Sequence, residues 1–139
     1  MEELNYIIYT DGAYSFMRNQ GGVGLVFIKN GEKIGTYSKN YKNTTNNRME
    51  LLAVIIALNC IKNPINKLTI ISDSQYVIGT ITKGWKRGKN QDLWDKFDKI
   101  SNKALTLCNE IDYKWVHGHE SDEFNNLADE LAVKASKLL

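Results

Sequence analysis

The sequence predicts an α/β fold on a five-stranded mixed sheet, three antiparallel strands then two parallel ones, with helices on both faces. Three observations carry this. Asn30-Gly31 joins two β-rich segments, and this dipeptide is the strongest short hairpin signal because both positions tolerate positive φ. Beyond residue 44 the apolar residues recur at three- and four-residue steps, the period of a helix packed on one face. The later strands are separated by helical segments, so right-handed crossovers bring them back parallel to the first strand.

The elements follow in order. Residues 4–10 (LNYIIYT) are rich in Tyr, Ile and Thr and meet Asp11-Gly12, which reads as a strand followed by a turn. Residues 21–29 (GGVGLVFIK) and 32–41 form the second and third strands of a meander. Met49, Leu52, Ala53, Ile56, Ala57 and Cys60 mark a buried helix face, with Thr44, Thr45 and Asn46 as capping candidates and Asn63-Pro64 as the stop. Residues 67–72 (KLTIIS) are a short apolar strand ending at Asp73, and residues 74–83 continue as a helix. A basic turn, residues 85–90 (WKRGKN), precedes a helix with Leu93, Phe97, Ile100, Ala104 and Leu107 on one face. Residues 111–116 (IDYKWV) are a fifth strand and residues 118–123 a polar loop. Phe124, Leu127, Leu131, Ala135 and Leu138 line the last helix.

Composition narrows the class. A chain of 139 residues fits one domain, residues 1–139, with 42% hydrophobic and 24% charged residues. No apolar run spans a membrane, and the acidic N-terminus does not fit a signal peptide, so the expected location is the cytoplasm. A net charge of +2 excludes a globally basic nucleic-acid binder, so any such affinity must come from local clusters. Cys60 and Cys108 lie far apart, each inside a helical pattern and without metal-ligand spacing, and are expected to be reduced core thiols.

The chemistry rests on carboxylates. YIIYTDG (residues 6–12) and LTIISDS (residues 68–74) are both apolar strands that end on a hydroxyl residue and an Asp. If the strands are parallel neighbours, Asp11 and Asp73 emerge side by side at the carboxyl edge of the sheet, where open sheets bind ligands. Each Asp alone is better read as a turn former or helix cap, and it is the matching of two strand ends that raises the functional reading to equal weight. Glu50 lies at the edge of the first helix's buried face, and Asp129 stands among apolar residues of the last helix; singly, each reads as a surface acid. Four acids meeting at one point would repel, and such a cluster persists only by sharing protons or holding cations. All-oxygen ligands suit Mg²⁺ or Mn²⁺, and no Cys or His set suits zinc. Two such ions would support phosphodiester hydrolysis with no covalent enzyme intermediate.

The run TTNNRMEL, residues 44–51, resembles the block around the catalytic glutamate of type 1 ribonuclease H. YTDG (9–12), SDSQYV (72–77), WVHGH (115–119) and NNLADELA (125–132) resemble its other blocks in the same order. The resemblance covers essentially the whole chain. It implies a ribonuclease H-like fold and cleavage of the RNA strand of RNA–DNA hybrids, leaving 5′-phosphate and 3′-hydroxyl ends. It implies Asp11, Glu50, Asp73 and Asp129 as ligands of two Mg²⁺ ions, with Mn²⁺ able to substitute, and a monomer acting on the hybrid.

It also implies His119 as the loop histidine that handles water or releases product, although Gly-His-Glu reads locally as a solvated turn. His117 is taken as structural. Asn46 and Gln75 fall where the family reads the minor groove, and amides suit a 2′-hydroxyl; Asn46 reads equally as a helix cap. Thr45 matches a position near a DNA-strand phosphate, and Asn125 one near the cleavage site.

Three departures stand out. The family's Gly-Asn-Pro-Gly loop after Asp11-Gly12 is replaced by residues 13–19 (AYSFMRN), leaving Asn19 as the candidate contact there. Asn43 occupies a position where some members have Arg, with Lys42 as a possible substitute. The long basic protrusion of familiar bacterial members shrinks to residues 83–90. There Trp85, Lys86, Arg87 and Lys89 read either as a phosphate- and sugar-contacting surface or as a solvated turn. Two other functions compete: a transposase-like nuclease acting on duplex DNA, and a non-catalytic hybrid-binding domain.

Overall fold

The computed structural model describes residues 3–117 and 122–138. Its elements run β1 (Asn5–Ser15), β2 (Gln20–Lys29), β3 (Glu32–Lys42), α1 (Asn46–Asn59), β4 (Ile65–Ser72), α2 (Gln75–Lys83), α3 (Gln91–Leu105), β5 (Cys108–Trp115) and α4 (Glu123–Ser136). The sheet order is β3-β2-β1-β4-β5. β1, β2 and β3 pair antiparallel, and β4 and β5 join parallel to β1. This is the mixed sheet that the sequence predicts. No helix among the described residues is long and apolar enough to cross a membrane.

β1 does not end at Asp11-Gly12 as expected. Its antiparallel pairing with β2 continues to Ser15↔Gln20, while its parallel pairing with β4 stops at Thr10↔Ser72. Asp11 is therefore the first residue past the parallel pairing, on a strand that β2 carries onward. Asp-Gly reads locally as a turn because such a pair is uncommon in a strand. Here the ladder to Gly24 and Val23 holds it extended.

Alternation along β1 decides which layer each side chain meets. Ile8 joins the larger core with Leu51, Val54, Leu58, Leu68, Ile70 and the fully buried Trp94, under α1, α2 and α3. Ile7 and Tyr9 point to the opposite face, where Val26, Ile28, Ala128 and Leu131 pack beneath α4.

Other boundaries also shift. β4 starts at Ile65, directly after Pro64, and β5 starts at Cys108 because Ile65 pairs with Cys108. Cys108 is thus a buried strand residue, and Cys60 is the exposed C-cap of α1. Of two expected core thiols in helices, one is in the core and neither is inside a helix. Leu138 lies beyond α4 and is exposed. Among the capping candidates Thr45 is the N-cap, accepting from the Arg48 amide at 3.2 Å, and Asn46 opens the helix. Thr44 turns inward, and its hydroxyl is buried with no hydrogen-bond partner among the described residues.

Candidate active site

Two short approaches bring the carboxylates together. At Gly12 an added Cβ would lie 2.3 Å from the Glu50 amide nitrogen, so only glycine lets α1 come this close to β1. The Gly12 amide donates to Glu50 Oε1 at 2.5 Å, holding the glutamate over the strand. On the other face Asp11 stands opposite Gly24. A Cβ at Gly24 would lie 2.2 Å from the Ala128 carbonyl, so α4 also rests directly on the sheet. The neighbouring Asp129 thereby comes beside Asp11 and helps to raise its carboxyl pKa. Asp73 follows the end of β4, and the Trp115 indole N–H donates to its carbonyl at 3.0 Å. Ligand oxygens of Asp11, Glu50 and Asp73 all lie within 4.8 Å of one another. Of the four acids named from the sequence, the fold brings Asp11, Glu50 and Asp73 to one point, with Asp129 beside Asp11.

Asp11 and Glu50 are only 4% and 5% exposed. Burial, above all, pushes the Asp11 carboxyl far above the ordinary carboxylate range. Contact with Glu50, then the Glu50 and Asp73 charges, add to it, as does contact with Asp129. Glu50 is raised to about 7, chiefly by burial; its contact with Asp11 and the Gly12 amide pull it down, and Asp73 pushes it up. Two unit charges 4.8 Å apart repel by roughly 3 kcal/mol at an effective dielectric near 20. The cluster therefore either retains protons or binds cations. Its donors are all carboxylate oxygens, the set that fits hard divalent ions.

The other expected residues distribute around this edge. Asn46 and Thr45 line a polar recess of about 340 Å³ together with Asn47, Lys89 and Asn90. Gln75 opens α2 and lines a second recess of about 280 Å³ with Trp85, Lys83 and Trp115. Trp85 packs its ring on α2 at Gly79, with the Lys83 ammonium 5.6 Å from the ring centre. Asn125 is buried in the first turn of α4. His119 lies outside the described residues, and His117 packs edge-on against Trp115 at 4.3 Å between ring centres.

Two candidates are already engaged. Arg87 forms a two-pronged pair with Asp98, both contacts at 2.7 Å, and its guanidinium lies 4.9 Å from the Trp94 ring centre. Asn19 accepts from the Tyr14 hydroxyl at 2.8 Å and donates to Asn43 at 3.1 Å. Lys42 donates to Gln20 rather than standing free.

Sequence reasoning missed the network that fixes the helix starts. Tyr76 accepts from Trp94 Nε1 at 2.9 Å and from Asn90 Nδ2 at 3.2 Å. Arg48 donates to Asn90 at 3.3 Å and grips both oxygens of Asp92 at 2.9 and 2.7 Å. This ties the first turns of α1, α2 and α3 together, and with them Asn46 and Gln75. Asn90, left-handed at φ 63°, carried a weak signal as a turn-favouring residue before a helix.

Comparison with known proteins agrees with this fold. The family model described as RNase H matches residues 3–137. A ribonuclease H of Trichodesmium erythraeum is 40% identical over 141 residues, spanning 95% of this chain and 88% of the relative. Ribonuclease HI of Haemophilus influenzae is 42% identical over 144 residues, spanning 94% and 88%. The crystal structure of an RNase H1 from Halobacterium salinarum superposes with a TM-score of 0.74 at 26% identity, covering 94% of this chain and 96% of that one. The N-terminal RNase H domain of a Mycobacterium tuberculosis protein shares the fold, with a TM-score of 0.77 at 23% identity, covering 96% and 94%. Fold, carboxylate cluster and sequence blocks converge: the chain belongs to the type 1 ribonuclease H family.

Proposed function

We propose that this protein hydrolyses the RNA strand of RNA–DNA hybrids, leaving 5′-phosphate and 3′-hydroxyl ends. The observation that carries the reading is the meeting of the buried Asp11 and Glu50 with the half-buried Asp73, with Asp129 beside Asp11. These four side chains would hold a pair of Mg²⁺ ions. When bound, such a pair lowers the barrier to water attack and to departure of the 3′ oxygen. The protein's own part is positional. Gly12 and Gly24 bring α1 and α4 onto β1, and the short distances between carboxylates make the site dependent on cations. His119, between β5 and α4 in the sequence, is the proposed group for water handling or product release.

Asn46 and Gln75 open two helices at the same sheet edge and present amides that can both donate to and accept from a ribose 2′-hydroxyl. Thr45 supports a neighbouring phosphate contact, and Asn125 sits close in sequence to Asp129. The expected result is cleavage of a labelled hybrid in Mg²⁺ and none in EDTA, with duplex DNA and duplex RNA left intact. Replacing a short DNA-flanked ribonucleotide stretch with 2′-deoxy units should stop cutting there. Equal cutting of the all-DNA version would favour the transposase-like alternative.

The basic turn divides into two roles. Arg87 is tied to Asp98 and Trp94, which leaves Lys86 and Lys89 for phosphates; Lys89 lines the recess with Thr45 and Asn46. Lys86→Ala/Lys89→Ala should raise KM and reduce the salt slope of binding by about 1 to 2, since each phosphate contact contributes roughly 0.9. The rate at saturating substrate should stay near that of the unsubstituted protein. An unchanged KM and salt slope would reduce the segment to a solvated turn.

A further inference from the structure

The two most exposed large apolar side chains among the described residues are adjacent: Phe16 at 88% and Met17 at 96%. They form the tip of the hairpin between β1 and β2. β1 runs through Asp11 toward this tip, so the tip projects beyond the carboxylate edge of the sheet. Five residues of strand at about 3.3 Å each put it roughly 16 Å from Asp11, several base steps along a bound duplex.

The tip is presented rather than collapsed. Asn19 takes a left-handed φ of 46° and closes the turn through its amide to the Phe16 carbonyl at 3.4 Å. The Tyr14 hydroxyl holds the Asn19 side chain from one side, and Asn43 holds it from the other. The Asn43 amide also donates to the Asn19 carbonyl at 3.0 Å. Arg18 is fastened to the Lys137 carbonyl at 2.7 Å. Asn43 lies two residues before Thr45, so the clamp joins the tip to the start of α1, the segment already proposed to face substrate.

An adjacent pair of exposed apolar side chains on a fixed hairpin marks a contact surface. Its setting points to the substrate duplex. A hybrid has a wide, shallow minor groove, and the two strands differ there in one group, the 2′-hydroxyl. An apolar side chain laid on ribose would bury that hydroxyl without a partner, which is unfavourable. On deoxyribose it meets only C–H surface. We infer that Phe16 and Met17 pack against deoxyriboses of the DNA strand and help to select a DNA strand opposite the cleaved RNA. This rests on the hybrid-cleavage reading above and gives the hairpin tip a share in strand discrimination that complements the 2′-hydroxyl-reading amides.

The test uses Phe16→Ser/Met17→Ser, with Phe16→Leu as the variant that keeps an apolar tip. Both sites are exposed, and unchanged melting temperatures would verify folding. Affinities for a hybrid and for a duplex RNA of the same sequence are measured on an Asp73→Asn background, and KM and kcat on the active protein. The double variant should lose about tenfold in preference for hybrid over duplex RNA and raise KM with kcat unchanged. Phe16→Leu should retain most of the preference. An unchanged preference, or an equal loss toward both duplexes, would overturn the inference. Failure of the unsubstituted protein to cut or prefer hybrid would instead overturn the reading beneath it.

Discussion

Asp73→Asn should reduce cleavage of a hybrid by roughly three orders of magnitude or more, about 4 kcal/mol of transition-state stabilisation. Asp73 sits where β4 ends, with its carboxylate within 4.8 Å of Asp11 and Glu50 oxygens. It is less buried than either of them, so it can face both cation and substrate. Asn keeps the shape and one oxygen but removes the charge that would hold the cation. The backbone should not change, because the Trp115 contact is to the Asp73 carbonyl and not to its side chain. Hybrid affinity should therefore persist while kcat falls, the pattern of an interaction made in the transition state. Single-turnover cleavage in metal-purified buffer, with binding measured in parallel, checks this. Turnover equal to that of the unsubstituted protein would remove Asp73 from the site.

The second large effect is on stability, and its sign is the reverse of most buried substitutions. Asp11→Asn should raise the melting temperature in EDTA at pH 8 by roughly 6 °C, about 2 kcal/mol for a chain of this size. Asp11 and Glu50 both have folded-state pKa values raised above the ordinary carboxylate range, chiefly by burial. The metal-free fold thus binds protons that the unfolded chain releases. Stability from these groups is fully present below about pH 4, near the unfolded values. It is lost as pH rises through the folded pKa, about 7 for Glu50. The metal-free protein should accordingly melt lower at pH 8 than at pH 5. Asn at position 11 is neutral without taking up a proton, so it removes that cost at high pH and flattens the dependence. The same variant should lose the stabilisation that added Mg²⁺ confers on the unsubstituted protein, since a ligand that binds only the folded state raises its stability. A melting temperature in EDTA clearly below that of the unsubstituted protein would mean that the Asp11 carboxylate supports the fold instead.

Much of this molecule was legible in the residues themselves. The Asn30-Gly31 hairpin and the helix-separated strands determined the strand directions, because they are local signals of dihedral preference and connection. The apolar spacing of α1, by contrast, placed half-buried Leu52 and Ile56 and exposed Cys60 on the buried face in place of Leu51, Val54, Ile55 and Leu58. The clustered acids Asp11, Glu50 and Asp73 were legible through paired strand ends and the sequence blocks around them. Local signals failed where pairing between distant segments overrode them. Asp11-Gly12 reads as a turn, yet β2 carries the strand on to Ser15, because ten consecutive partners outweigh the weak strand preference of one Asp-Gly pair.

Only the tertiary structure decided which charges remain available. Arg87 looks like a phosphate ligand among its basic neighbours. It is occupied by Asp98, eleven residues away on α3, and by the face of Trp94. The Arg48–Asn90–Tyr76 network and the clamp on the Phe16–Met17 tip likewise depend on contacts between elements far apart in the chain. Spacing along a sequence reports which face of one element is apolar. It carries no information about which side chain from another element arrives to satisfy a donor, neutralise a charge or hold a turn open, because those distances are set by packing of the whole core.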